Sequence, residues 1–209
     1  MTGLTEQWNA AMADLPLIAI LRGITGGESA EVAETLFGAG FRVLEIPLNS
    51  PDPYATIKAL VDTFPDHLIG AGTVVSTQQV DYCQRAGCRI AVAPNFNPVV
   101  ASAVKAAGML YCPGVATPSE AFAALEAGAD ALKLFPAEMI TPAVVRAMRA
   151  VLPVDAQLIP VGGINPDNMA GFLDAGANGF GLGSALYKPG KTPEAVAISA
   201  QAFVAAMRT

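Results

Sequence analysis

A short phrase recurs along this chain and restricts its fold more than any other feature. FGAGFRVLEI, QRAGCRIAVAP, KAAGMLYCPG, LEAGADALKLFP and LDAGANGFGLG each close a helical pattern at an Ala-Gly pair and then enter a short apolar run. Glycine fits the left-handed position that ends a helix. The glycines fall at 40, 87, 108, 128 and 176, with gaps of 47, 21, 20 and 48. Those gaps are one or two units of about 20–24 residues, the length of one helix plus one strand. Strands connected this way are parallel, because each helix carries the chain back to the same edge.

Eight strands are expected, at 17–22, 42–48, 68–74, 89–94, 109–113, 131–135, 157–162 and 178–183. Helical patterns fill the intervals, the last at about 192–207. Eight such units predict a closed α/β barrel, (β/α)8, the TIM barrel, formed as a single domain over 1–209. The segment 3–14 is then an extra N-terminal helix that closes the barrel floor. An open doubly wound sheet is the alternative, but no G-x-G-x-x-G follows the first strand.

Composition narrows the function classes. The chain of 209 residues is 53% hydrophobic and 14% charged, which suits a packed globule and not a disordered chain. A net charge of −6 with no Lys/Arg cluster argues against nucleic acid as a partner. No apolar run approaches the ~20 residues of a membrane span, and the start does not read as a signal peptide. Cys83, Cys88 and Cys112 lack metal-ligand spacing and read as reduced, buried hydrophobes, so the expected location is cytoplasmic.

In a barrel of this kind chemistry gathers where strands run into helices. Those ends supply Arg22, Asn49, Thr73, Pro94, Phe135, Gly162-Gly163 and Gly183-Ser184, while Glu45 and Lys133 lie within strands. In ALKLFPAE, residues 131–138, strand alternation puts Ala131, Lys133 and Phe135 on one face and Leu132 and Leu134 on the other. With the leucines toward the helices, Lys133 points into the barrel, and by the same alternation Glu45 does too. A buried ammonium costs several kcal/mol unless it is paired or neutral. Lys133 can therefore be half of an ion pair with Glu45, or an amine that attacks a carbonyl while Glu45 moves protons; the two do not exclude each other. Schiff-base formation at Lys133 is the expectation. The turns PVGGINPDN (160–168) and GLGSAL (181–186) follow the last two strands, where glycine lets backbone N–H groups approach a phosphate.

These stretches, with PLIAILRG, FRVLEIPLNS, IGAGTV, ALKLFPAE, VGGINPDN and GLGSALY, resemble the KDPG/KHG aldolase family over nearly the whole chain. The resemblance implies a class I, Schiff-base aldolase that releases pyruvate. AILRG, EIPLNS and VGG are most similar to its galactonate-type members, which implies cleavage of 2-dehydro-3-deoxy-6-phosphogalactonate to pyruvate and D-glyceraldehyde 3-phosphate. By residue, it implies Lys133 as Schiff-base lysine, Glu45 as general acid/base, Thr73 as a substrate contact, and Gly162, Gly163, Gly183 and Ser184 as phosphate cradle. Gluconate-type members often carry an arginine where this chain has Asn49, which leaves Arg22 to grip the carboxylate. They often carry threonine where it has Val161. A homotrimer is implied as well.

No cofactor and no metal is expected: His67 is the only histidine, and FPDHLIG reads as a solvated loop. The competing readings are a gluconate or 4-hydroxy-2-oxoglutarate aldolase, a phosphate-binding isomerase or thiamine-phosphate-synthase-like barrel, a metal-dependent aldolase, and a sugar-phosphate sensor without turnover.

Overall fold

A computed structural model describes residues 3–208 of the chain. The elements run α1 (Leu4–Asp14), β1 (Leu17–Ile20), α2 (Gly26–Gly38), β2 (Val43–Pro47), α3 (Pro53–Thr63), β3 (Leu68–Gly72), α4 (Thr77–Arg85), β4 (Ile90–Val92) and α5 (Pro98–Ala106). They continue through β5 (Leu110–Cys112), β6 (Gly114–Val115), α6 (Pro118–Glu126), β7 (Leu132–Leu134), α7 (Pro142–Arg149), β8 (Leu158–Pro160), α8 (Met169–Asp174), β9 (Phe180–Leu182) and α9 (Pro193–Met207).

The repeat has a hydrogen-bonded cause. At each of its five glycines the backbone is left-handed, with φ between 73° and 105°. The next residue donates to the carbonyl five positions back: Phe41 to Leu36, Cys88 to Cys83, Met109 to Val104, Ala129 to Ala124 and Ala177 to Phe172. This is the Schellman closure, and it satisfies carbonyls that the helix end would otherwise leave unpaired. At the other end, α3, α5, α6, α7 and α9 start on proline, whose missing N–H costs nothing in a first turn.

All strand pairs are parallel. One curled sheet has the order β5-β4-β3-β2-β1-β9 and a second the order β6-β7-β8. The order climbs without reversal, and β9 lies beside β1, unlike an open doubly wound sheet. The strand expected at 109–113 is β5, ending at Cys112; β6 is a further short strand beyond Pro113, which has no N–H to give to a ladder. Its carbonyl still accepts from Lys133 N at 2.9 Å. The sheets also meet beyond β8, where Val161 bridges Gly181 and Asn178 N donates to Leu158 O at 2.9 Å.

Two apolar layers follow from the period-two alternation. Leu44, Ile46, Leu132 and Leu134 pack outward among the helices. Ile18, Val43, Ala131, Ile159 and Val161 pack inward, and Trp8, Ala11 and Met12 of α1 join that inner cluster. The N-terminal helix is thus a floor for the interior. His67 departs from expectation: instead of a solvated loop residue it is half-buried, with its ring stacked on Phe37 at 3.7 Å. Desolvation lowers its pKa below the ordinary value, as expected for an imidazole held against aromatic rings.

Trp8 is 2% exposed and its Nε1 donates to Gln157 Oε1 at 3.1 Å. Trp8→Ala is expected to cost about 3–5 kcal/mol in a urea titration. A loss below about 1 kcal/mol would make α1 an appendage and not a floor.

Candidate active site

Lys133 sits at the centre of β7, paired in register with Gly114 and Ile159. Its strand neighbours occupy the outer layer, so its side chain enters the interior and is 6% exposed. Nζ lies 4.8 Å from the centre of the Phe135 ring, a cation–π distance. Glu45 occupies the matching inward position of β2, between Leu44 and Ile46 of the outer layer, and is 1% exposed.

The surroundings of Glu45 are unusual for a carboxylate. Its Oε2 has no hydrogen-bond partner among the described residues, and it forms none of the ion pairs within 4 Å. Burial pushes its pKa up from 4.5 to about 7, against the opposing pull of the Lys133 and Arg22 charges. Glu45 thus exchanges protons near neutral pH, where a group can serve in turn as acid and as base. Space for it comes from Gly72: a Cβ there would overlap the carboxylate. The next residue, Thr73, holds φ of 61°, a left-handed conformation rare for a β-branched side chain. Such a backbone costs about 1–3 kcal/mol and gathers at functional sites.

Above these two groups opens a cleft of about 590 Å³. The structure brings Arg22, Lys133, Phe135, Val161, Gly162, Gly163, Gly183 and Ser184 to its walls. Four other candidates stand outside that lining. Glu45 lies beneath it, and Thr73 and Pro94 are half-buried at the ends of neighbouring strands. Asn49 reaches the site through another residue: Arg22 Nη1 donates to its Oδ1 at 2.6 Å. The amide therefore aims the guanidinium, while the guanidinium itself faces the cleft.

The glycine turns form the opposite wall. Gly162 and Gly163 have φ of 112° and 62°, and the loop after them is tied by Asn165 and Asn168, with Asn168 Nδ2 donating to Gly163 O at 2.9 Å. Beyond β9, Leu186 N and Tyr187 N both donate to Gly183 O. None of these turn bonds is donated by the N–H groups of Gly162, Gly163, Gly183 or Ser184, and glycine leaves the backbone of both turns open to close approach. Glu138 and Lys188 also line the cleft, and sequence reasoning gave neither a role. Glu138 closes the ALKLFPAE stretch itself, so its position three residues past the strand was the available signal. Lys188 lies past the glycine turn with nothing in its neighbours to mark it.

Among the described residues no group of three His, Cys, Asp or Glu side chains is placed to hold a metal. The arrangement offers a buried amine, a carboxylate that titrates near 7, a cation and two glycine turns around one cleft.

Comparison with known proteins agrees with that inventory. The chain is 49% identical over 203 residues to the 2-dehydro-3-deoxy-6-phosphogalactonate aldolase of Escherichia coli K12, across 97% of this chain and 98% of that one. It superposes on a native KDPGal structure with a TM-score of 0.91 at 50% identity, covering 93% of this chain and 95% of the other. A KDPG aldolase from Legionella pneumophila, with pyruvate captured at low pH as a covalent carbinolamine intermediate, matches at a TM-score of 0.83 and 29% identity over 97% of both chains. The family model for KDPG and KHG aldolases matches residues 9–200. The chain belongs to the KDPG and KHG aldolase family.

Proposed function

We propose that the chain cleaves 2-dehydro-3-deoxy-6-phosphogalactonate to pyruvate and D-glyceraldehyde 3-phosphate through a Schiff base on Lys133. The observation that carries this reading is a buried lysine opening into the cleft beside a carboxylate whose pKa is near 7. The Lys133 amine adds to the C2 ketone, and loss of water leaves a protonated imine. Glu45, as carboxylate, takes the C4 hydroxyl proton, directly or through one water. The C3–C4 bond breaks and its electrons enter the imine, so the aldehyde leaves and an enamine remains. Glu45, now protonated, returns a proton to C3, and water then releases pyruvate and restores the amine. Arg22, aimed by Asn49, grips the carboxylate of the substrate with charge-assisted bonds. Thr73, Pro94 and Phe135 bound the pyruvyl end, while Gly162, Gly163, Gly183 and Ser184 hold the phosphate.

The single domain over 1–209 that supports this chemistry is in our reading a closed (β/α)8 barrel. Supporting closure are the bridge from Val161 to Gly181 and Pro113, the single residue between β5 at the edge of one sheet and β6 at the edge of the other. The three cysteines are free and buried, which fits a reducing compartment such as the cytoplasm. A homotrimer is the proposed assembly. Val144 of α7 and Val151 just beyond it are 37% and 57% exposed beside a hollow of about 470 Å³ floored by Ala116, Ala143 and Ala147. A neighbouring copy would cover that apolar face.

Pyruvate with borohydride should add one adduct per wild-type chain and none to Lys133→Ala. Glu45→Gln should still be trapped, yet lose roughly 10²–10⁴-fold in cleavage. Because Glu45 must be ionised to act as base, wild-type kcat/KM should rise with pH through about 7. That limb should vanish in Glu45→Gln; its persistence would assign the limb to another group.

The epimers are separated at Val161, which is buried at the end of β8 and lines the cleft. Threonine there offers a hydroxyl to one C4 configuration, and valine only a methyl. Leaving a substrate hydroxyl unpaired costs about 1–3 kcal/mol, or roughly one to two orders of magnitude in preference. The galactonate epimer should be cleaved at least as well as the gluconate epimer, with Val161→Thr moving kcat/KM toward gluconate. A strong wild-type gluconate preference that the substitution leaves unchanged would reject the epimer assignment and keep the aldolase.

For assembly, light scattering of the wild type should give the mass of three chains. A Val144→Glu, Val151→Glu double variant should give one. A wild-type mass of one chain would remove the trimer.

A further inference from the structure

We infer that Glu138 is a specificity-determining residue, a built-in competitor for the glycine cradle that sets how tightly the enzyme holds a phosphate. This rests on the aldolase reading of the same cleft and assigns a role to a residue that the reading leaves idle. Glu138 follows β7 in a turn fixed by two bonds to Pro136 O, from Met139 N at 3.0 Å and Ile140 N at 3.3 Å. Ala137 N donates to Val161 O at 2.9 Å, which ties this turn to the strand end that precedes the two glycines. The Glu138 side chain therefore lies across both of them. A Cβ on Gly162 would overlap its Oε2, and a Cβ on Gly163 would meet its Cγ at 3.1 Å and Oε1 at 3.4 Å.

A carboxylate thus rests on the surface proposed to receive a phosphate. It makes no hydrogen bond or ion pair among the described residues, and the side chain is exposed, so no partner retains it there. A phosphate entering the cradle must move this carboxylate aside and then bind near a like charge. Both effects weaken the hold on a phosphorylated ligand and leave an unphosphorylated one untouched. Easier departure of the phosphorylated aldehyde is the functional return.

Glu138→Gln keeps the shape and removes the charge, and Glu138→Ala removes both. Calorimetry with inorganic phosphate should show binding roughly three- to tenfold tighter in Glu138→Gln, and at least as tight in Glu138→Ala. In the addition direction with pyruvate, the ratio of KM for D-glyceraldehyde to KM for D-glyceraldehyde 3-phosphate should rise by a similar factor. Phosphate bound equally or more weakly by the glutamine variant, or an unchanged KM ratio, would overturn the proposal. So would wild type and variants that all fail to bind phosphate. Borohydride trapping of pyruvate on the same samples reports on the Schiff-base reading separately, since it needs no phosphate.

Discussion

Everything at this site follows from placing two ionisable side chains inside a parallel sheet. Glu45 and Lys133 take inward positions on strands whose other inward residues are apolar. Removing charges from water costs several kcal/mol per ion even after relaxation. The fold meets that cost with proton exchange, not with a tight ion pair: Glu45 titrates near 7, and its Oε2 has no hydrogen-bond partner among the described residues. The linkage has a definite sign. The folded-state pKa lies above 4.5, so the native state holds this proton more tightly than the unfolded chain does. Its contribution to stability is present below pH 4.5 and is lost as pH rises through about 7. The enzyme is therefore least favoured by this group at the pH where the group is useful.

That constraint spreads outward through the backbone. A fully buried carboxylate needs volume, and the neighbouring strand supplies it at Gly72, where any side chain would collide. The ladder from β2 to β3 puts Pro47 opposite Gly72, so Glu45 leans up along the strand toward the cleft rather than toward the floor. Immediately afterwards the chain turns through the left-handed Thr73. Strain there is tolerated because Val74 N is held by Val92 O at 3.1 Å and Leu48 N by Gly72 O at 2.8 Å, bonds that define the path on both sides.

The sequence made legible whatever depended on period and local chemistry. Ala-Gly helix ends revealed the repeat because the Schellman closure requires a left-handed residue five times over. Alternation placed Leu132 and Leu134 outward and Lys133 inward, since strand side chains have only two directions. Contacts that join distant segments at a loop were not legible. Nothing in PLNS states that Asn49 would accept from Arg22, 27 residues earlier. FPDHLIG looked solvated because its aromatic partner, Phe37, lies at the end of a different helix. Pro113 was visible, but its effect on the ladder emerged only with the neighbouring strand in place.

The two walls of the cleft are consequently under different physical control. Lys133 and Glu45 belong to strands locked by ladders on both sides, so neither can move without disturbing the interior. The glycine turn at 162–163 is held by a few bonds from Asn165 and Asn168, and Ser184 and Glu138 are exposed. Substitution there reshapes the turns while the amine and the carboxylate keep their places. Val161 stands at the junction, on the inner layer yet lining the cleft, the last side chain before the backbone opens into glycine. A hydroxyl added at that point would face the cleft with little change in the volume of the core. For that reason Val161 is a position where the proposed discrimination at C4 can be altered without disturbing the charged pair on its ladders.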